Sequence, residues 1–378
     1  MAGIYIHIPF CASRCIYCGF YSTTMLEWRQ RYVDAVCQEL TLRGKKSEVR
    51  GKRIDTIYLG GGTPSQLTGE QLRQLFEAVY IYNKVAENAE VTIECNPDDV
   101  TVEFAATLSQ LPINRVSMGA QTFDNERLRF LRRRHTAEQV PLAVKRLRDA
   151  GIQNISADLM YGFPHETLKD WEYDIETALA LDVEHLSAYC LSIEEGTPLY
   201  QLRIKNLELR EAFPSEELER QMYELLIDRL TAAGYEHYEI SNFAKPGFRS
   251  RHNSSYWQDV PYIGLGAAAH SYDGQSRSWN VSDIRHYMDA IERDEIPCER
   301  ETLDDNTYYN DRITVALRTR EGLDLNTLSS QYRTYCKREA QRFIDDGLLA
   351  IDNNHLHLTR KGLFVSDYIM SALIYLDT

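Results

Sequence analysis

Three cysteines stand close together near the start of the chain, in the run Cys11-Ala12-Ser13-Arg14-Cys15-Ile16-Tyr17-Cys18. Thiolates are soft metal ligands. Three of them on one short loop can each hold one iron of a cubane [4Fe–4S] cluster, leaving the fourth iron open to a ligand from outside the chain. A structural zinc site wants four protein ligands. The nearest candidates for a fourth are His7, in a strand-like run, and Cys37, in a helical one, and both are badly placed. Zinc and unligated buried thiols remain the competing readings of the triplet. Cys37, Cys95, Cys190, Cys298 and Cys336 are scattered. That pattern fits reduced thiols and a cytoplasmic location better than a secreted disulfide framework.

Other residues along the first half have types suited to holding a small polar ligand. Gly60-Gly61-Gly62-Thr63-Pro64 lets backbone approach a ligand with no Cβ in the way, although a tight turn explains a glycine run equally well. Glu94, Gln121 and Asp158 offer acceptors for vicinal hydroxyls such as those of a ribose. Each one taken singly is also an ordinary helix cap or surface residue. Arg133, in the run Arg132-Arg133-Arg134, suits a carboxylate. The bland reading of that run, a solvated helix face, is kept for Arg132 and Arg134.

What places these residues together is the order of elements. IYIHIPF (4–10) alternates Ile4, Ile6, Ile8 and Phe10 with Tyr5 and His7. A helix over 25–43 and the strand RIDTIYLGGG follow. Next come a helix over 70–82, with Thr68 and Gln71 in a capping-box spacing, and the strand EVTIECNP. A helix from about 102 leads to RVSMGAQ, and a helical stretch closes at Gly151. NISADLMYG, a helix over 168–181 and HLSAYCLSI complete six strand–helix repeats. Such repeats imply an α/β fold with a parallel sheet, curled by right-handed crossovers into a partial (β/α)6 barrel; a doubly wound open sheet is the alternative. Function gathers at the C-terminal ends of barrel strands. The Cys loop, the glycine run, Glu94, Gln121 and Asp158 all follow strands, so one shared site is expected.

These motifs together resemble the radical S-adenosylmethionine superfamily. In that family the amino and carboxylate groups of S-adenosylmethionine chelate the open iron, and one electron from the cluster cleaves a C–S bond to release a 5′-deoxyadenosyl radical. The runs Tyr5 to Cys11, Gly60 to Pro64, Gly119-Ala120-Gln121-Thr122-Phe123 and Asp158 to Pro164 are similar to the oxygen-independent coproporphyrinogen oxidase branch, over nearly the whole chain. By motif position the resemblance implies cofactor contacts from Tyr5, Tyr17, Gly61, Gly62, Thr63, Glu94, Gln121, Arg133 and Asp158. It also implies an electron donor such as a flavodoxin or ferredoxin.

Two departures point within the branch. The oxidase has a further cysteine two residues past the triplet, where this chain has Phe20. The oxidase also has a long segment before its first strand, whereas here that strand starts at residue 4. Both resemble the haem-chaperone members of the branch, as does Arg251-His252-Asn253-Ser254-Ser255-Tyr256-Trp257, which matches their HNxxYW motif. That segment, expected as a loop facing the barrel mouth, supplies the haem candidates: His252 as axial ligand, with Tyr256 and Trp257 as flat apolar surface. A loop histidine among packed aromatics is the plain alternative. The expected function is therefore a chaperone that carries haem as cargo to recipient haem proteins, without oxidase activity. The alternative is an oxygen-independent coproporphyrinogen III oxidase, decarboxylating propionates by radical chemistry.

Beyond residue 196 the repeats end. The expected division is 1–235 as core barrel, 236–299 as connecting region and 300–378 as a small winged-helix-like domain. Its helices are expected near 306–318, 324–330 and 332–346, with a hairpin turning at Asn353-Asn354. Acidic residues outnumber basic ones in that domain, and the whole chain carries 42 Lys and Arg against 56 Asp and Glu, a net charge of −14. Nucleic acid is excluded as a partner on that balance. No run reaches the roughly 20 apolar residues of a membrane span. Residues 363–376 read as a packed helix, transient membrane association through them being a lesser expectation, and a homodimer is compatible with all of this.

Overall fold

The computed structural model describes residues 2–45 and 53–376. Six strands form its centre: β1 (Gly3–Ile8), β2 (Arg53–Gly61), β3 (Lys84–Cys95), β4 (Arg115–Gln121), β5 (Asn154–Tyr161) and β6 (His185–Cys190). They are parallel and adjacent in sequence order. A doubly wound sheet would reverse its strand order part-way, so the order decides for the curled part-barrel.

The strand alternation sets the two faces. Ile4, Ile6 and Ile8, Ile57 and Leu59, Val91 and Ile93, Val116 and Met118, and Ile155, Ala157 and Leu159 are buried in one core with residues of the covering helices. These include Arg29–Lys45, Gly69–Tyr82, Gln139–Asp149 and Leu168–Ala180. The residues between them point the other way and are polar: Thr56, Thr92, Arg115, Ser117, Ser156, His185 and Ser187 are all buried. The barrel interior is thus a polar chamber inside an apolar jacket. The capping box over Gly69–Tyr82 forms as expected, with Thr68 and Gln71 exchanging hydrogen bonds.

The sheet continues past the six repeats, and this corrects the expected connecting region. β7 (Glu236–Glu239) and β8 (Asn242–Ala244) extend it beyond β6. β9 (Tyr262–Leu265), β10 (His270–Tyr272), β11 (Ser276–Asn280) and β12 (Cys298–Thr302) extend it on the other side of β1. β9 runs parallel to β1. Leu265, Ile284, Tyr287 and Met288 share the barrel core, so 236–299 is part of the same body. Short strands paired to a partner some 250 residues earlier leave little periodicity to read.

The C-terminal unit has its own core, built from Tyr309, Ile313, Cys336, Phe343, Leu356 and Ile369 among others. Helices Asp305–Ala316 and Ser330–Asp345 pack with a small antiparallel sheet of β13 (Leu323–Asp324), β14 (Leu349–Asp352) and β15 (His355–Leu358). Asn353 and Asn354 take φ of 49° and 64° in the β14–β15 turn, as a two-residue hairpin requires. The helix expected over 324–330 shrinks to a single 3-10 turn, Leu325–Thr327. Leu323 pairs with Leu356 instead, and the Asp324 side chain accepts the Asn326 N–H, a turn that competes with helix. Residues 363–376 pack as expected through the short helix Ser366–Leu373. Among the described residues no helix is long and apolar enough to cross a membrane.

Candidate functional site

The Cys loop leaves the C-terminal end of β1 and is tied down at both ends. Cys11 N–H donates to the Thr23 carbonyl at 2.9 Å, and Ile16 N–H to the Leu131 carbonyl at 3.2 Å. Ile16 is buried with Leu131, Met160, Phe163, Leu191 and Leu199. This apolar anchor holds the loop rigid and leaves Cys11, Cys15 and Cys18 half-buried and free of disulfides. Burial raises the pKa of Cys11, the Thr63 hydroxyl 3.4 Å away opposes it, and the charge of Cys15 adds to it. Burial likewise raises Cys18, whose thiol receives the Phe20 amide. The Phe20 side chain is 69% exposed beside the triplet. Cys37 hydrogen-bonds a carbonyl of a neighbouring helix, outside this group.

The predicted cofactor residues converge at the same end of the barrel. Arg133 donates to Asn96 Oδ1 and the Gly119 carbonyl, both at 2.7 Å, and reaches the Cys15 sulfur at 3.7 Å. Its inward aim comes from Arg132, which takes a left-handed φ of 60°. The arginine run therefore lies on a turn, not on the helix face expected for its neighbours, and Arg134 pairs with Asp98 and Asp99. Tyr17 lies by Cys15 and Arg133; burial raises its pKa, and the Arg133 charge opposes that. Gln121 ends β4 at φ 68°, where the register with β5 shifts; a non-glycine residue in that conformation is strained, as is common at ligand sites.

Glu94 accepts the Tyr58 hydroxyl at 2.8 Å and the Gly61 amide at 3.1 Å. Asp158 accepts Ser117 at 3.2 Å. Burial raises both carboxyls, Glu94 to about 7, with the nearby Asp158 charge adding to the shift. Tyr5 stacks on Tyr58 and bonds His7. Asn96 belongs to the run Glu94-Cys95-Asn96-Pro97 that follows its strand as expected, whereas Tyr58 and Ser117 carry only the sign of inward parity on their strands. The glycine run is a cradle: a Cβ would stand 2.9 Å from Glu94 Oε1 at Gly60, 2.5 Å from the His7 ring at Gly61 and 2.8 Å from the Pro9 backbone at Gly62.

The haem candidates lie elsewhere. Residues Arg251–Trp257 form a helix, not a loop. Ser250 caps it, a sign present in the sequence, and the Glu90 carboxylate of β3 accepts the N–H groups of Arg251 and His252, both at 2.9 Å. His252 sits against Gly3 and Thr56, near the N-terminal ends of β1 and β2. It is therefore at the end of the barrel opposite the cysteines, and the expected place at the mouth is corrected. His252 is 1% exposed. Its Nδ1 is 2.8 Å from the Thr56 hydroxyl and its Nε2 is 2.8 Å from the Tyr256 hydroxyl. Burial, then the Arg115 charge, lower its pKa to about 3. Trp257 takes Arg318 over its ring at 5.2 Å. The motif plugs the closed end and bridges to the C-terminal unit.

The Radical SAM superfamily matches residues 5–178, and the HemN C-terminal domain matches 303–365. A curated protein of Bacillus subtilis named heme chaperone HemW is 34% identical over 382 residues, covering 99% of both chains. Its namesake in Lactococcus lactis is 33% identical, covering 99% of this chain and 97% of its own. This chain belongs to the HemW family. Among solved structures, coproporphyrinogen III oxidase HemN of Escherichia coli matches with a TM-score of 0.83 at 22% identity, covering 99% of this chain and 90% of that one. At that identity the match bears on fold, and it extends to the C-terminal unit.

For a HemW-family chain, membership of the radical SAM superfamily implies a [4Fe–4S] cluster and S-adenosylmethionine. The residues present fit both groups. Three thiols ride on one anchored loop, a glycine cradle stays open beside them, and acceptors and a guanidinium surround it.

Proposed function

We propose that this chain is a haem chaperone that binds haem as cargo and delivers it to recipient haem proteins, those of the respiratory chain foremost. The observation that carries this reading is the end-to-end similarity to curated proteins named heme chaperone HemW. Phe20, at the position where the oxidase has a cysteine, supports it.

In this reading Cys11, Cys15 and Cys18 hold the cluster. Gly61, Gly62 and Thr63 cradle the methionine amino group, and Arg133 faces the carboxylate. Glu94, Gln121 and Asp158 accept hydrogen bonds from the ribose, and Tyr5 and Tyr17 close the sides. Bound together, the two groups supply one-electron chemistry at the barrel mouth. An electron donor such as a flavodoxin or ferredoxin, and a second copy of this chain, are the partners it calls for. Ligation of haem iron by His252 requires one ring nitrogen to give up its partner, Thr56 at Nδ1 or Tyr256 at Nε2, so the haem-loaded form must differ from this one at the HNxxYW helix.

The test is anaerobic reconstitution of the cluster, followed by haem titration and by incubation with coproporphyrinogen, S-adenosylmethionine and reductant. Stoichiometric haem binding without decarboxylation is the expected result. Decarboxylation of coproporphyrinogen would return the chain to the oxidase reading.

A further inference from the structure

Arg115 opens β4 and is 1% exposed. Its Nε and Nη1 have no hydrogen-bond partner among the described residues. The inward side of β4 carries Arg115 and then Ser117, followed by Gly119. Ser117 is in register with Glu94 on one side and Ser156 on the other, and Gly119 with Asp158. Arg115 therefore stands one inward position beneath Glu94 and two beneath Asp158, on the strand between those that carry them. Thr92, directly in register with Arg115, also has a buried hydroxyl without a partner.

A buried cation with unfilled donors is unfavourable unless its charge acts on something. What surrounds this one is specific. Glu94 and Asp158 both feel its charge. The other groups facing Glu94 are the Tyr58 hydroxyl and the Gly61 amide, with Asp158, Tyr5 and Tyr256 also within reach of its charge. Those facing Asp158 are the Ser117, Ser156 and Ser187 hydroxyls, with Glu94, Tyr58 and Tyr189 within reach of its charge. His185 and His252, which lie within reach of the same charge, are held neutral mainly by burial. A guanidinium in direct contact with either carboxylate would occupy its lone pairs. From below both, without touching either, it offsets their charge and leaves those lone pairs for a ligand.

We propose that Arg115 is a positioning residue of the cofactor site, an enclosed guanidinium that favours the anionic form of Glu94 and Asp158 against their burial, so that both accept hydrogen bonds from the hydroxyls of S-adenosylmethionine. The inference rests on the reading of Glu94 and Asp158 as cofactor contacts. A structural arginine would instead support the barrel at every pH alike, so the pH profile separates the two roles.

The experiment is calorimetric titration of anaerobically reconstituted protein with S-adenosylmethionine, from about pH 6 to about pH 9, on the wild type, Arg115→Lys and Arg115→Met. The expected result for Arg115→Met is an acid limb of binding moved up by about one pH unit, with affinity about tenfold weaker near neutrality and recovered in alkali. Arg115→Lys keeps the wild-type limb. A wild-type profile in Arg115→Met, or a loss equal at all pH values, overturns the proposal. If Arg115→Met does not fold, Arg115→Gln keeps polar bulk without charge and carries the same comparison. Glu94→Gln and Asp158→Asn run alongside. Wild-type affinity in both would overturn the site reading itself, and this inference with it, by an outcome distinct from the first.

Discussion

At the residue scale the chemistry depends on a few side chains with separable losses. Cys11→Ala, Cys15→Ala and Cys18→Ala should each abolish the cluster, because no further thiol joins the loop; Cys37→Ala should leave it whole, since Cys37 bonds a helix carbonyl elsewhere. Iron and sulfide analysis with the visible spectrum decides this, and four irons per chain in Cys15→Ala would refute the ligand set. Glu94→Ala and Asp158→Ala should weaken S-adenosylmethionine binding about 10- to 150-fold with the cluster intact, the loss of one charged hydrogen bond being about 1.5–3 kcal/mol. Glu94 titrates near 7 because it is buried. Its anionic, accepting form grows as pH rises through that value, so affinity should fall as pH is lowered through about 7. An affinity flat across that range would show that Glu94 does not meet the ligand as a carboxylate.

At the element scale the helix Arg251–Trp257 is a plug with a pH signature. Its imidazole fills two hydrogen bonds and stacks on Tyr58 at 5.1 Å. His252→Ala leaves the buried Thr56 and Tyr256 hydroxyls without it and opens a cavity, which should cost about 2–5 kcal/mol of stability by thermal or urea unfolding. The folded-state pKa lies below the unfolded one, so the unfolded chain binds the extra proton between them. The contribution of His252 is therefore full above about pH 6.5 and drains away as pH falls toward about 3. The acid limb of the wild-type stability curve should flatten in His252→Gln; an unchanged limb would show that the proton goes elsewhere. Haem spectra of the same variant, taken after the cluster is quantified, tell whether the imidazole also serves iron.

At the scale of the whole molecule two cores, one in the barrel and one over residues 309–373, meet through a mixed seam, where Leu363 and Phe364 pack on the barrel core and polar pairs flank them. Ile240 and Arg320 trade backbone hydrogen bonds across it with Arg318 and Tyr238. Arg249 pairs with Glu321, and Arg318 lies over Trp257. The HNxxYW helix at the closed end of the barrel and the β7–β8 turn beside β6 thus both contact the C-terminal unit. Trp257→Ala removes the cation–π contact, about 0.5–2 kcal/mol, along with buried ring area. The unit should then loosen with the cluster content unchanged, seen as faster hydrogen exchange across the seam. Unaltered exchange there would mean that the seam is held without Trp257, by its backbone hydrogen bonds, ion pairs and the packing of Phe364.

The sequence by itself determined what depends on local pattern and ligand count. The C-x3-C-x2-C spacing, the six strand–helix repeats, the Thr68 capping box and the Asn353-Asn354 turn are set by residues close in the chain, and they appear where the pattern put them. Because a parallel barrel places every strand's C-terminal end on one face, the grouping of Glu94, Gln121, Arg133 and Asp158 about the cysteines was also legible. Only the tertiary structure decided the rest. The segment 236–299 joins the barrel because β9 pairs with β1 across most of the chain. His252 faces the closed end because Glu90, a buried carboxylate of β3, caps its helix. Arg115 is an enclosed charge only because strands on either side of it turn their polar faces inward, and no spacing along one strand records what the neighbouring strands bring.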